Sequence, residues 1–204
     1  MKNSNGMKML VIAALIVGVL ALSLGFAAFS NTLTIKSSAT VNPLSSNFNV
    51  SLSKSNSSAT TGQVTPSVNG GIGSNATLTA TTISGLKATF TNAGQSVTYS
   101  FYAYNGGSFD AYLNSVSIGS KTCTAVSGTN QSYVDDACEG ISITVKVGGT
   151  TYSASNTNIS SHKLDKNTAE AIVVTIAYAA GSDVADGDFN VAFGDITLTY
   201  GSAD

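Results

Sequence analysis

Two cysteines are the clearest of the few side chains in this sequence that could do chemistry. Cys123 and Cys138 bracket the loop "TAVSGTNQSYVDDA", which lies between two strand-like runs. A disulfide between them would tie down a flexible connection and would suit an oxidising, extracellular environment. For a loop of this size the expected stabilisation is about 3 kcal/mol. Two reduced thiols are the alternative, and zinc is disfavoured because it prefers four ligands.

Three aspartates, Asp183, Asp186 and Asp188, lie close together in "GSDVADGDFN", and carboxylates on a turn can hold calcium. The stretch lacks the regular ligand spacing of a calcium loop, so an ordinary acidic hairpin is the simpler interpretation. The single histidine, His162, stands in "NISSHKLDKN", where we expect a solvated loop residue rather than a general base. The sequence contains no nucleophile elbow, HExxH motif or phosphate loop. We therefore expect no enzyme and no cofactor, and no metal apart from the calcium alternative.

The charge composition of the chain limits the classes of partner that it is expected to bind. Charged residues make up only 10% of the 204 residues, against roughly 25% in ordinary soluble proteins. All 9 basic residues are lysines, and the calculated pI is near 5.2. Proteins that grip phosphates normally cluster Arg with Lys. Nucleic acid is therefore not an expected partner, and no basic patch is available for anionic lipid.

The first residues have the layout of a secretory signal. Lys2 and Lys8 precede an uncharged run over residues 9–29, which ends in small residues. We expect residues 1–27 to form a hydrophobic signal helix that a signal peptidase removes between Ala27 and Ala28. An uncleaved membrane anchor is the alternative, because the run is long enough to span a bilayer. Either interpretation places the rest of the chain outside the cell or on its surface.

Residues 28–43 alternate as a half-buried β-strand does. One parity carries the apolar side chains, namely Phe29, Leu33, Ile35, Ala39 and Val41. The other parity carries Ser, Thr, Lys and Asn. Such a strand needs a sheet on which to bury its apolar face. That sheet is either its own domain's or a neighbouring subunit's.

The remaining residues, 44–204, predict a single all-β domain, an antiparallel jelly-roll-like β-sandwich. The segments "SVTYSFYAYN" and "ISITVKV" alternate cleanly, with glycine pairs after each that we expect to form turns. "EAIVVTIAY" is apolar on both parities, which is typical of a central strand. A change of phase at Gly194–Asp195, and another between Leu113 and Val116, indicate two curved strands. "NQSYVDDAC" predicts one short helical turn, and "SKSNSSATTGQVTPSVNGGIGSNATLT" reads as a linker.

Three segments together resemble the TasA and camelysin family of secreted surface and biofilm-matrix fibre proteins. They are "LGFAAFSNTL", "ATFTNAGQSVTYSFYAYNGGSFDAYLNSV" and the closing "DGDFNVAFGDITLTY". The central segment is similar to the family's strand, Asn-Gly turn and next strand, at the following positions: Gly94, Val97, Tyr99, Phe101, Asn105, Gly107, Ser108 and Ala111. The segment "LGFAAFSNTL" resembles the junction at which the family's SipW-type peptidase cuts. The chain departs from the family in its shorter length, few lysines, cysteine pair, and Ala93 where a proline is expected.

The resemblance implies an extracellular jelly-roll subunit that self-associates into filaments, in which each N-terminal strand completes the sheet of a neighbour. Accessory matrix or wall components are the further partners that it implies. A monomeric cell-surface module that binds glycan or another wall component is the alternative function. The tyrosines Tyr99, Tyr102, Tyr104 and Tyr112 would supply its stacking platform, although residues at strand spacing are more often core and cross-strand pairs.

Overall fold

The computed structural model describes residues 48–159 and 161–202, together with the backbone pairing of residues 33–34. This part of the chain is built of short antiparallel strands and one helix. The elements are β1 (Leu33–Thr34), β2 (Val50–Ser53), β3 (Gly62–Val64), β4 (Ser67–Asn69), β5 (Ile72–Gly73), β6 (Ala76–Leu78), β7 (Ile83–Ser84), β8 (Lys87–Phe90), β9 (Ser96–Asn105), β10 (Ala111–Ile118), β11 (Lys121–Ala125), α1 (Gln131–Glu139), β12 (Ile141–Val147), β13 (Thr150–Tyr152), β14 (His162–Leu164), β15 (Thr168–Tyr178), β16 (Phe189–Phe193) and β17 (Ile196–Ser202).

The strands form four sheets. The large sheet has six strands, in the order β13-β12-β15-β9-β2, with β4 also paired to β9. The leading sheet, so named because it contains β1, has the order β1-β17-β10-β14. The side sheet has the order β11-β16-β8-β5, and the small sheet has the order β3-β6-β7. The fold is therefore all-β, antiparallel and sandwich-like, as the sequence predicts.

A bent two-stranded ribbon connects the leading and side sheets. The β10/β17 pair ends at Ile118 opposite Ile196, and the β11/β16 pair begins at Lys121 opposite Phe193. A Cβ on Gly119 would lie 2.4 Å from the carbonyl carbon of Gly194, so the two turns cross backbone against backbone. The sequence predicts one curved strand here, but the phase change at Gly194–Asp195 falls between two strands, β16 and β17, which belong to different sheets. The other phase change coincides with a register shift between Leu113 and Ser115.

One cluster of buried apolar side chains forms the core, and all four sheets contribute to it. In β9 and β12 the buried residues alternate with more exposed ones, which fixes the inner face of each strand. The ring of Tyr178 packs between Phe90 and Phe189, with centroid separations of 6.0 and 5.7 Å. The hydroxyl of Tyr99 donates to the carbonyl oxygens of Ser74 and Lys87, at 2.9 and 2.8 Å, and thereby ties β9 to the side sheet.

The chain crosses from the large sheet to the leading sheet at Asn105. The sequence predicts a turn at Gly106 and Gly107, and the strands that flank it, β9 and β10, belong to different sheets. Asn105 is fully buried, and its Nδ2 donates to the carbonyl oxygens of Phe109 and Leu164. Its Oδ1 accepts the Gly107 N–H at 3.0 Å. The amide therefore replaces the backbone partners that the crossing segment loses.

The helix is longer than the single turn that the sequence predicts. It spans Gln131–Glu139, with Asn130 as the N-cap and only Val134 and Ala137 buried. The disulfide Cys123–Cys138 is present, with a Cα–Cα distance of 6.0 Å, and joins β11 to the end of α1. No helix in residues 48–159 and 161–202 is long and apolar enough to cross a membrane.

The stretch that reads as a linker is structured. It contains β3 to β6, and its first part folds around Ser53. The Ser53 Oγ donates to the carbonyl oxygen of Ser58 and accepts the N–H groups of Ser55 and Thr60. Strands of two or three residues are too short to show the apolar alternation on which the sequence prediction depended.

Candidate functional site

The leading strand lies on the edge of β17. Leu33 is opposite Tyr200 and Thr34 is opposite Thr199, in antiparallel register. On its other side β17 pairs with β10 through seven residue pairs. We call the side of β17 that faces β1 the acceptor edge. Of the five residues predicted for the apolar face of the leading strand, only Leu33 falls in the described residues, and Phe29, Ile35, Ala39 and Val41 lie outside them. Ala27 and Ala28, the predicted cleavage position, also lie outside.

The acceptor edge belongs to an unusually well-buried strand. Leu198, Thr199 and Tyr200 are all buried, so β17 is covered on both of its faces at the point where β1 pairs. Gly201 is also buried, and a Cβ there would lie 2.5 Å from the Nδ2 of Asn114. Asn114 is the residue at the register shift of β10. Close packing against β10 therefore holds β17 from the side opposite the acceptor edge.

A polar cluster connects the acceptor edge to the large sheet. Glu170 in β15 receives the hydroxyl of Tyr200 on Oε1 at 2.8 Å, and its Oε2 contacts Nε2 of His162 in β14. We call these three residues the clasp. The side chains of His162 and Glu170 are 16% and 11% exposed, and Tyr200 is fully buried. The expectation that His162 is a solvated loop residue is therefore wrong.

Burial and the neighbouring carboxylate control the chemistry of the tyrosines at the clasp. Burial raises the pKa of Tyr200 well above its usual value, and the charge of Glu170 raises it further. The pKa of Tyr152 is raised for the same two reasons. Both hydroxyls thus keep their protons at neutral pH, and Tyr200 remains a hydrogen-bond donor to Glu170.

Glu170 was missed by the sequence analysis, although the sequence carries a signal for it. It shares the even parity of Ile172, Val174 and Ile176, which are all fully buried. A carboxylate on the buried parity of a central strand requires a partner between the sheets. Which partner it has depends on how the sheets are stacked, and alternation within one strand does not contain that information.

The three aspartates proposed as calcium ligands are used differently. Oδ1 of Asp186 accepts the backbone N–H of Asn130, the N-cap of α1. The carbonyl oxygen of Asp183 accepts the Tyr178 hydroxyl, and that of Asp188 accepts the N–H of Val126. Across the described residues, no three His, Cys, Asp or Glu side chains group as ligands for a metal ion. The segment thus serves to hold α1 and its neighbours against the sandwich.

The four tyrosines proposed as a stacking platform do not come together. Tyr99 is fully buried, and it alternates along β9 with Tyr102 and Tyr104, which are on the opposite face and only partly buried. Tyr112 is in β10, in another sheet. Only the pair Tyr102 and Tyr104 remains available for a planar ligand.

A shallow groove of about 410 Å³ lies beside the first half of β12. Its apolar residues include Ile118, Ile143 and Phe193, and its polar residues are three serines and one lysine. The one charged residue of its lining, Lys121, donates from Nζ to carbonyl oxygens at the end of α1 and at the start of β12. The ammonium group is therefore engaged within the protein, and the groove presents no free charge to a ligand.

The fold, the acceptor edge and the clasp together define an all-β, sandwich-like, disulfide-linked protein with an edge at which a strand pairs. No family model, curated protein or solved structure matches this chain.

Proposed function

We propose that this chain is a secreted structural subunit of a cell-surface fibre or biofilm matrix, which assembles by donating its N-terminal strand to a neighbouring subunit. One observation carries the proposal: in the part of the leading strand that the structure describes, Leu33 and Thr34 pair with the acceptor edge, and β1 is the outermost strand of its sheet. The remaining strands pair with one another without it. A strand from another copy, with the same sequence, would fit the same edge in the same register.

The chemistry of the leading strand supports the same proposal. Its apolar parity offers five side chains for burial, and apolar burial contributes about 25 cal/mol per Å². An unpaired strand edge is a ready template for another chain. Export follows from the predicted signal, with removal of residues 1–27 by a signal peptidase. N-terminal sequencing of secreted protein, with Ala28 expected first, checks that step.

The test replaces apolar residues of the leading strand by aspartate. In the double variant Leu33→Asp/Ile35→Asp we expect loss of filaments with an unchanged melting temperature of the monomer, because a donated strand is not part of its own domain's core. The matched control is Thr32→Asp, which adds a charge on the opposite parity and should leave assembly intact. Melting and sedimentation are measured on the same samples. A collapsed melting transition in the double variant would show that the strand is part of its own sandwich.

A second function, a surface module that binds glycan, is favoured by one observation. Tyr102 and Tyr104 are two residues apart on β9, so both rings lie on its outer face. Tyrosine rings at strand spacing can stack on sugar rings. Glycan-array binding that is lost in Tyr102→Ala and Tyr104→Ala, with melting unchanged, would favour this function. A protein that forms no filaments under any condition tested would also favour the glycan-binding function.

A further inference from the structure

The clasp lies on the same row of residues as the leading strand. Leu33 is opposite Tyr200, Tyr200 is opposite Leu113, and Leu113 is opposite His162, so one row crosses all four strands of the leading sheet. Two members of that row, Tyr200 and His162, contact the same carboxylate, Glu170 of the large sheet. The clasp is thus a polar link between the sheets, and it includes the residue that pairs with the leading strand.

The titratable groups around the clasp come from four strands. They are His162 from β14, Glu170 from β15, Tyr200 from β17 and Tyr152 from β13. From β10 and β9 the residues opposite in register are Leu113 and Ala103, which do not titrate. The β12–β13 turn closes the cluster, since a Cβ on Gly148 would lie 3.0 Å from the Glu170 Oε2 and 3.2 Å from the His162 ring. Lys163, next to His162, pairs instead with Asp110 and Asp165 at the surface.

The protonation states of His162 and Glu170 decide whether every hydrogen-bond donor of the clasp has an acceptor. A carboxylate accepts from the imidazole Nε2–H whether the ring is neutral or charged, and a carboxylic acid can donate to a neutral ring nitrogen. When both groups are protonated, the remaining acceptor oxygen of the carboxyl group takes the imidazole N–H, and the carboxyl hydrogen faces the Tyr200 oxygen. The hydrogen of the buried Tyr200 hydroxyl then has no acceptor in the clasp, which is a costly state for a buried polar group.

We propose that the clasp is an acid-sensitive latch: double protonation of His162 and Glu170 releases Tyr200 and loosens the row that pairs with the leading strand. Both side chains are mostly buried but still reach solvent, so protons have access without unfolding. The latch acts within a single chain and needs no filament. It therefore stands or falls separately from the proposed function.

The single histidine makes the first test direct, because one imidazole signal in the NMR spectrum reports on the clasp without assignment. Purified full-length protein is titrated from about pH 7 to about pH 3, the range in which His and carboxyl groups ordinarily titrate. We expect two linked steps in the wild-type imidazole signal and a single step in Glu170→Gln. The glutamine keeps the shape of the side chain and, like a protonated carboxyl group, offers one acceptor oxygen, but it does not titrate. The control, Asp110→Asn, removes a surface carboxyl group and should keep both steps.

Hydrogen exchange measures the loosening itself. For the amides of Leu33, Leu113 and Tyr200 we expect protection, corrected for the intrinsic rate, to fall about tenfold between neutral and acid pH, as loss of a charge-assisted hydrogen bond implies. In Glu170→Gln the fall should remain and follow the single imidazole step, because the amide already offers only one acceptor oxygen. In His162→Gln the fall should be absent, since the amide at position 162 can donate or accept and does not titrate. An acid-induced fall of equal size in His162→Gln, or constant protection in the wild type, would overturn the inference.

Discussion

Half of the tyrosines in this chain lie in the core, and their burial has a measurable consequence. Burial is the leading cause that raises the pKa of Tyr99, Tyr152, Tyr178 and Tyr200. In the unfolded chain a tyrosine ionises near pH 10. A folded pKa that is raised above the unfolded one stabilises the fold fully below pH 10, and the stabilisation is lost as pH rises through the folded pKa.

We therefore predict that the free energy of unfolding decreases above about pH 10. Absorbance of the phenolate, followed against pH, should lag in the native protein behind the same titration in denaturant. Denaturant melts at increasing pH give the accompanying loss of stability. Coincident native and denatured titration curves would contradict the burial of these four hydroxyl groups.

The face on which a side chain lies was predictable from the sequence where a strand alternates. The contacts that join two sheets were not. Alternation placed Val97, Tyr99 and Phe101 on one face, and the structure buries all three. It gave no indication that His162 and Glu170 meet. That contact depends on the stacking of β14 over β15, which is a property of the folded molecule.

Elements were predictable in proportion to their apolar pattern. The segments of β9 and β12 coincide with the predicted strands, and β15 is central, between β12 and β9. The strands β3 to β6 were missed because each is only two or three residues long, which is too short to establish an alternation. The length of α1 was missed because only two of its residues, Val134 and Ala137, are buried, and two apolar positions do not establish a helical period.

The disulfide connects two of these elements, so its removal is a test at the element scale. Cys123 and Cys138 are separated by 15 positions, and the model of chain entropy gives about 3 kcal/mol for a loop of this size. We predict that Cys123→Ser/Cys138→Ser lowers the free energy of unfolding by about that amount while the sheets persist.

Denaturant unfolding of the double variant measures the loss, and wild-type protein in reductant is the matched control. Both should lose the same stability, because both lack the same cross-link. An unchanged unfolding midpoint in the two samples would show that α1 is held by its other contacts alone. Those include the Asn130 N–H donated to Asp186 and the Lys121 Nζ donated to Ile141.

At the scale of the whole molecule, the leading strand and the rest of the domain have different roles. The large and side sheets pair without β1, and in the leading sheet β1 occupies only one edge. The sequence predicted an all-β sandwich but not which sheet accepts the leading strand. Which sheet pairs with the leading strand depends on β17, whose covered faces are a property of the assembled sheets.

In a filament built by donation, each subunit offers one strand and one acceptor edge, so growth continues as long as a terminal edge is empty.

This arrangement predicts that a free copy of the strand stops growth. A synthetic peptide of residues 28–43, added during assembly, should occupy the acceptor edge of β17 and shorten filaments in proportion to its concentration, because it brings no second edge. The matched control is the same peptide with Leu33→Asp and Ile35→Asp, which places two charges on the apolar parity and should not bind. Filament length by electron microscopy and the sedimenting fraction are the measurements. Filaments that grow to full length in excess of the native peptide would show that another surface joins the subunits, and the leading strand would then belong to its own sandwich.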